Sequence, residues 1–173
     1  AIGALAGQYT TGSGNTLVGY KALSGASGST TGSYNTVIGE KAAQGATSMA
    51  YSTLVGYRAG YSATTGSDNT AIGYYAMKEN TTGASNTSVG HEALKNCTTG
   101  SYNTTVGLSA GAAITTGGQH VLVGMYSGDS ITTGAENTCL GTHSGGSLTT
   151  GSHNVAVGKS ALQNSATGQY NIA

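Results

Sequence analysis

Tyr20, Tyr57 and Tyr74 each follow a glycine directly, and Glu40 holds the same place between the first two. The next position along carries Lys21, Lys41, Arg58 and Tyr75. Tyrosine offers a flat ring with a polar edge, and a regular ladder of such rings beside basic groups suits the gripping of a polysaccharide. Tyr20, Tyr57, Tyr74, Tyr75, Lys21, Lys41 and Arg58 are therefore the candidate glycan-binding residues. A second aromatic column holds Tyr34, Tyr51, Tyr102 and Tyr170. The plainer reading is that tyrosine here covers exposed β surface and grooves between chains, with the basic groups solvated.

No other chemistry assembles. His91, His120, His143 and His153 occupy four different repeat positions, whereas a metal needs ligands within ~2.0–2.6 Å of one ion. Asp68 and Asp129 are the only aspartates, too few for a calcium-binding repeat. Serine is abundant, but no base is placed beside a nucleophile. Glu40, Glu79, Glu92 and Glu136 form no catalytic pair, and runs such as Gly117-Gly118 and Gly145-Gly146 precede no helix that would bind phosphate. The expectation is a protein without enzymatic activity, metal or cofactor.

Stepping along the chain shows what would position those tyrosines. The stretch Thr98–Gly111, T-T-G-S-Y-N-T-T-V-G-L-S-A-G, recurs almost everywhere. Its second glycine returns at Gly39, Gly56, Gly73, Gly90, Gly107, Gly124, Gly141 and Gly158, seventeen residues apart each time. Repeats start near residues 10, 30, 47, 64, 81, 98, 115, 132, 149 and 166, with a longer Ser24–Ser29 loop after the first that is expected to bulge outward. A fixed period of this length marks a stacked-repeat architecture. The chain reads as one domain, 1–173, all-β, a parallel β-solenoid of about ten turns. It begins and stops inside a repeat, as a segment excised from something longer would. Seventeen residues at ~3.3 Å span about 56 Å per turn, enough for two short strands and two bends, and turns stacked ~4.8 Å apart would build a rod about 50 Å long.

Composition agrees with a thin coil. The chain has 173 residues, 30 glycines, no proline, phenylalanine or tryptophan, and 7% charged residues. Leucine, isoleucine and valine number only 25, low enough to suggest disorder. Net charge is zero, however, and the strict period favours order. At ~25 cal/mol per Å² of buried apolar surface, one such coil struggles against an ordering cost of ~1–2 kcal/mol per residue. Lateral association of several coils is the expected remedy. Zero net charge also leaves no footprint for nucleic acid, and no apolar run approaches the ~20 residues of a spanning helix.

Each repeat position has its own logic. Asn15, Asn35, Asn69, Asn86, Asn103, Asn137, Asn154 and Asn171 form one column, broken by Ser52 and His120. Stacked asparagines can hydrogen-bond from rung to rung. Three residues past the glycine stands Ala or Ser from Ala22 to Ala161, as a narrow interior requires. In the core N-T-x-φ-G, φ runs from Val18 to Val157 and x from Leu17 to Ala156; the two must face opposite ways. One fills the coil and the other meets partner chains, and the residues do not say which. Cys97 and Cys139, 42 residues apart, lie too far from each other for a disulfide. The third repeat is degenerate, with Met49 for the bend glycine.

The core N-T-x-φ-G-x-x-A, as in Asn69-Thr70-Ala71-Ile72-Gly73-Tyr74-Tyr75-Ala76, resembles the head repeats of trimeric autotransporter adhesins. The T-T-G-x-x-N-T spacing is similar to repeats of phage tail fibres and related bacterial surface fibres. Asn69, Gly73, Asn86, Gly90, Asn103 and Gly107 carry that motif in the central repeats. The resemblance implies a left-handed β-roll, a homotrimer, and a place outside the cell or on a virion. It further implies a structural or adhesive role, presenting or spacing a receptor-binding tip, with a cell-surface glycan or protein receptor as partner and no membrane insertion. Two other functions fit a β-solenoid: a dedicated carbohydrate-binding module, and an ice-binding surface of threonines. The second is disfavoured because no T-x-T strand recurs.

Overall fold

Each N-T-x-φ-G core folds into one three-residue strand, because β-branched residues suit an extended pleat and the following glycine ends it. A computed structural model describes residues 1–25 and 28–173. It contains nine strands: Thr16–Val18 (β1), Thr36–Ile38 (β2), Thr53–Val55 (β3), Thr70–Ile72 (β4), Thr87–Val89 (β5), Thr104–Val106 (β6), Val121–Val123 (β7), Thr138–Leu140 (β8) and Val155–Val157 (β9). They form a single parallel sheet in sequence order, in strict register, Thr87 opposite Thr104 and Val89 opposite Val106. The chain is a parallel β-solenoid. Nine repeats each contribute a strand, and the partial repeats at either end add single bridges, Ile2 to Val18 and Val155 to Ile172. The bulge expected over Ser24–Ser29 centres on Ala26 and Ser27, which lie outside the described residues.

One expectation is corrected. Each turn has one strand, where contour length suggested two. The rest of the turn is bent too tightly for a second, because left-handed backbone recurs along it. In the turn through Asn103, Tyr102, Gly107, Ser109 and Gly111 all have positive φ, at 62°, 136°, 53° and 61°. Backbone hydrogen bonding between rungs nevertheless continues through these bends. Thr98 N donates to Thr115 O at 2.8 Å, Leu94 N to Ala110 O at 3.0 Å and Tyr102 N to Ala84 O at 3.1 Å. Non-glycine residues pay roughly 1–2 kcal/mol to sit at such angles, and the neighbouring rung holds them there.

The strand face left open by sequence is now assigned. The x column, including Leu17, Val37, Leu54, Ala71, Ser88, Thr105 and Leu122, is buried, and both flanking columns of the strand point outward. The Ala/Ser column is also inside, as expected: Ala42, Ala59, Ala76, Ala93 and Ala110 are fully buried. Two further columns complete the core, and the volumes trade between them. Where the strand supplies only Ala71 or Ser88, the position four past the glycine supplies Met77 or Leu94. Where that position is Gly128, Ile131 and Leu122 fill the space, and a Cβ there would stand 2.8 Å and 2.9 Å from their methyl groups. Interiors pack this closely because unfilled space forfeits dispersion contacts.

Two polar ladders run beside the core. Asn103 takes the Asn86 Oδ1 atom with its backbone N–H at 2.9 Å and its side-chain amide at 3.0 Å; Asn154 and Asn137 repeat the arrangement. Ser52 keeps the ladder running with its hydroxyl, which accepts from Asn69 N at 3.2 Å. Met49 keeps it with its carbonyl, which accepts from Asn35 Nδ2 at 2.9 Å, while its side chain is buried. The first threonine of each T-T-G builds the second ladder: Thr64 Oγ1 donates to Thr81 O at 2.8 Å, and Thr81 Oγ1 to Thr98 O at 2.9 Å. Cys97 and Cys139 are free and buried, and burial pushes both thiols up to about 11.

Thr105 breaks the rule that buried polar atoms are paired, since its hydroxyl has no partner among the described residues. Thr105→Val keeps the shape and removes the unpaired group. It is expected to stabilise the fold by about 1 kcal/mol, read as a higher thermal midpoint by circular dichroism; no gain would mean that the hydroxyl is satisfied in solution.

Candidate functional site

The residue after each core glycine lies on the outer surface just past the strand, so one side chain per turn lands above the last, and Tyr57 and Tyr74 occupy consecutive turns. Tyr57 and Tyr74 stack with ring centroids 5.4 Å apart and planes 16° from parallel. His91, one turn further, continues the stack at 4.9 Å and 14°. Tyr74 is thus covered on both faces, and what the column presents to solvent is ring edges and hydroxyls. Tyr75 leans against Tyr74 at 4.1 Å and 46°.

Arg58 sits among these rings. Its guanidinium carbon lies 5.1 Å from the centre of Tyr61, 5.2 Å from Tyr57 and 6.0 Å from Tyr75, within cation–π range of all three. Lys78 and Lys95 also lie over Tyr75, at 5.3 Å and 5.9 Å. The Tyr75 phenol is drawn below its ordinary range, first by the Tyr74 side chain and then by the Arg58 charge, with burial opposing. Lys78 binds Glu79, and Lys95 binds Glu92 at 2.9 Å. The Lys78 hydrogen bond holds the Glu79 carboxyl below its usual range, and Glu79 in turn raises Lys78.

Tyr20, Lys21 and Lys41 form a separate, smaller group. Lys21 and Lys41 lie 5.4 Å and 6.0 Å from the Tyr20 ring centre, and Lys41 also meets Glu40 at 3.5 Å. Among the described residues no ring stacks on Tyr20. The seven expected residues therefore divide into Tyr20, Lys21 and Lys41 on one side and Tyr57, Arg58, Tyr74 and Tyr75 on the other. In the second aromatic column Tyr34 and Tyr51 stack at 5.5 Å and Tyr170 stacks on His153 at 4.7 Å, whereas Tyr102 has Ser85 and Gln119 as column neighbours.

Sequence reasoning missed Tyr61, His91, Lys78 and Lys95. His91 was within reach, being seventeen residues after Tyr74; the others come from turn positions whose direction depends on the left-handed backbone. Asn69, Asn86 and Asn103 are buried in the polar ladder, and Gly73, Gly90 and Gly107 hold φ near +140° beside it, at 141°, 140° and 136°. Among the described residues no three His, Cys, Asp or Glu side chains converge as metal ligands, and no helix is long and apolar enough to cross a membrane. No protein family, curated protein or solved structure matches the chain.

Proposed function

We propose that this chain is a structural and adhesive segment of an extracellular trimeric fibre, at the cell surface or on a virion. It works as a stiff left-handed β-roll that spaces or presents a receptor-binding tip and touches glycans along its tyrosine flank. The observation that carries the reading is the outer face of the sheet. Threonine or valine in the first strand position and Val, Ile or Leu in the third point away from the coil through all nine strands, without one charge. Ile72, Val121, Val123 and Leu140 remain 37–40% exposed. A continuous apolar stripe on a thin coil is suited to contact between chains, and covering it supplies burial that one coil lacks.

Light scattering is expected to give three times the 16.9 kDa chain mass, and Ile72→Lys combined with Val123→Lys is expected to reduce it to a monomer. A stable wild-type monomer overturns the reading. The same uncharged face, with threonine opening seven of its nine strands, supports ice binding as a second reading. That reading predicts thermal hysteresis abolished by the same pair of lysines, and it falls if the wild type shows none.

A further inference from the structure

We propose that the glycan contacted at this flank is an acidic one, and that Arg58 reads its carboxylate or sulfate. The inference rests on the glycan contact proposed above and names its chemical class. The stack of Tyr57, Tyr74 and His91 spends the ring faces on one another, so little flat aromatic surface is left for a sugar to lie upon. What remains is the hydroxyls of Tyr57 and Tyr74, one turn apart, and charge. Lys41, Lys78 and Lys95 are each paired with a glutamate. Arg58 has no ion pair among the described residues, and its buried Nε has no hydrogen-bond acceptor. Lys21 is likewise unpaired among the described residues, but it lies over Tyr20, which has no stacked partner there. Among the described residues a free cation and an aromatic stack coincide only at Arg58.

The geometry suits an oxyanion. Three rings hold the guanidinium at 5.1–6.0 Å, and a side chain already held in place loses less entropy when a ligand docks. A planar guanidinium binds a carboxylate or sulfate through two parallel N–H bonds, and with Nε buried the approach is end-on, to the two terminal nitrogens. The Tyr74 and Tyr75 hydroxyls would then meet the sugar hydroxyls beside that group.

The test is calorimetric titration of the intact oligomer with three probes: an oligogalacturonate, its carboxyl-reduced neutral counterpart, and a sulfated neutral oligosaccharide. The wild type is expected to prefer at least one acidic probe over the neutral one by about tenfold or more, a preference that Arg58→Gln abolishes. Whichever acidic probe binds identifies the group as carboxylate or sulfate. Arg58→Lys, which keeps the charge, is expected to retain part of the preference and guards against a folding artefact. Equal binding of acidic and neutral probes, unaffected by Arg58→Gln, overturns this inference while leaving glycan contact intact. An equal loss in Lys159→Gln also overturns it, because attraction would then be general. Absence of binding to all three removes the glycan contact together with this inference.

Discussion

Gly90→Ala is expected to cost more than about 4 kcal/mol and to leave the central turns unfolded. Gly90 has φ +140°, a region nearly closed to residues with a Cβ and worth about 1–3 kcal/mol of strain by itself. The larger part is steric. A Cβ at Gly90 would land on the Gly107 carbonyl of the next turn, 2.7 Å from its carbon, and no flexible side-chain tip is available to yield. Relief requires the two rungs to separate, which would break Gly107 N to Val89 O and Thr87 N to Asn103 O, at 2.8 Å and 2.7 Å. Gly158→Ala supplies the control. It has φ +122° but nothing within 4 Å of the added methyl, so it should cost only the backbone strain. Urea denaturation followed by circular dichroism measures both; equal losses would show that rung contact contributes nothing.

That contrast explains how much of this fold was open to reading in advance. The glycine column, the asparagine ladder and the Ala/Ser column were legible because each repeats one residue type for one reason at every turn. Strict periodicity was enough to infer the parallel register, since identical rungs can stack only in phase. The inside of the coil was less legible because its columns compensate one another. Leu54 beside Gly60 and Ser88 beside Leu94 look unrelated along the chain and become alternatives only when the turn is closed. The choice of inward strand face was hidden for a similar reason, as Leu17 and Val18 are equally apolar. Left-handed backbone at Glu92, Leu94 and Ser109 could not be seen at all. Those residues disfavour it locally, and the hydrogen bonds that impose it come from other turns. The same hidden turns bring Tyr61 and Lys78 to Arg58 and Tyr75. The tyrosine column itself was visible, but its face-to-face stacking, which decides what a ligand can touch, was not.

His120 makes the second large effect depend on pH. It replaces asparagine in the buried ladder and does both of that residue's jobs: Nδ1 accepts from Asn137 N at 3.1 Å, and Nε2 meets Gly134 O at 2.8 Å. That pattern assigns the proton to Nε2 in the neutral ring. A second proton on Nδ1 would set two donors against each other in a site without solvent. Burial accordingly lowers the His120 pKa, with the hydrogen bonds to Gly134 and Asn137 opposing. The unfolded chain takes up that proton near pH 6.5 and the folded chain does not, so stability is fully present above about 6.5. It declines at up to about 1.4 kcal/mol per pH unit as pH falls towards the folded-state pKa. Glu79, whose pKa is lowered by Lys78, adds its own acid loss only below about pH 4.5, and Asp129, raised by burial, acts with the opposite sign, so a loss above that range is His120's. His120→Asn should restore the uninterrupted asparagine ladder and flatten the dependence there. Thermal midpoints at pH 7.5, 6.0 and 5.0 for both proteins decide the matter. Parallel curves would mean that the ring is solvated and that the ladder is already open at this rung.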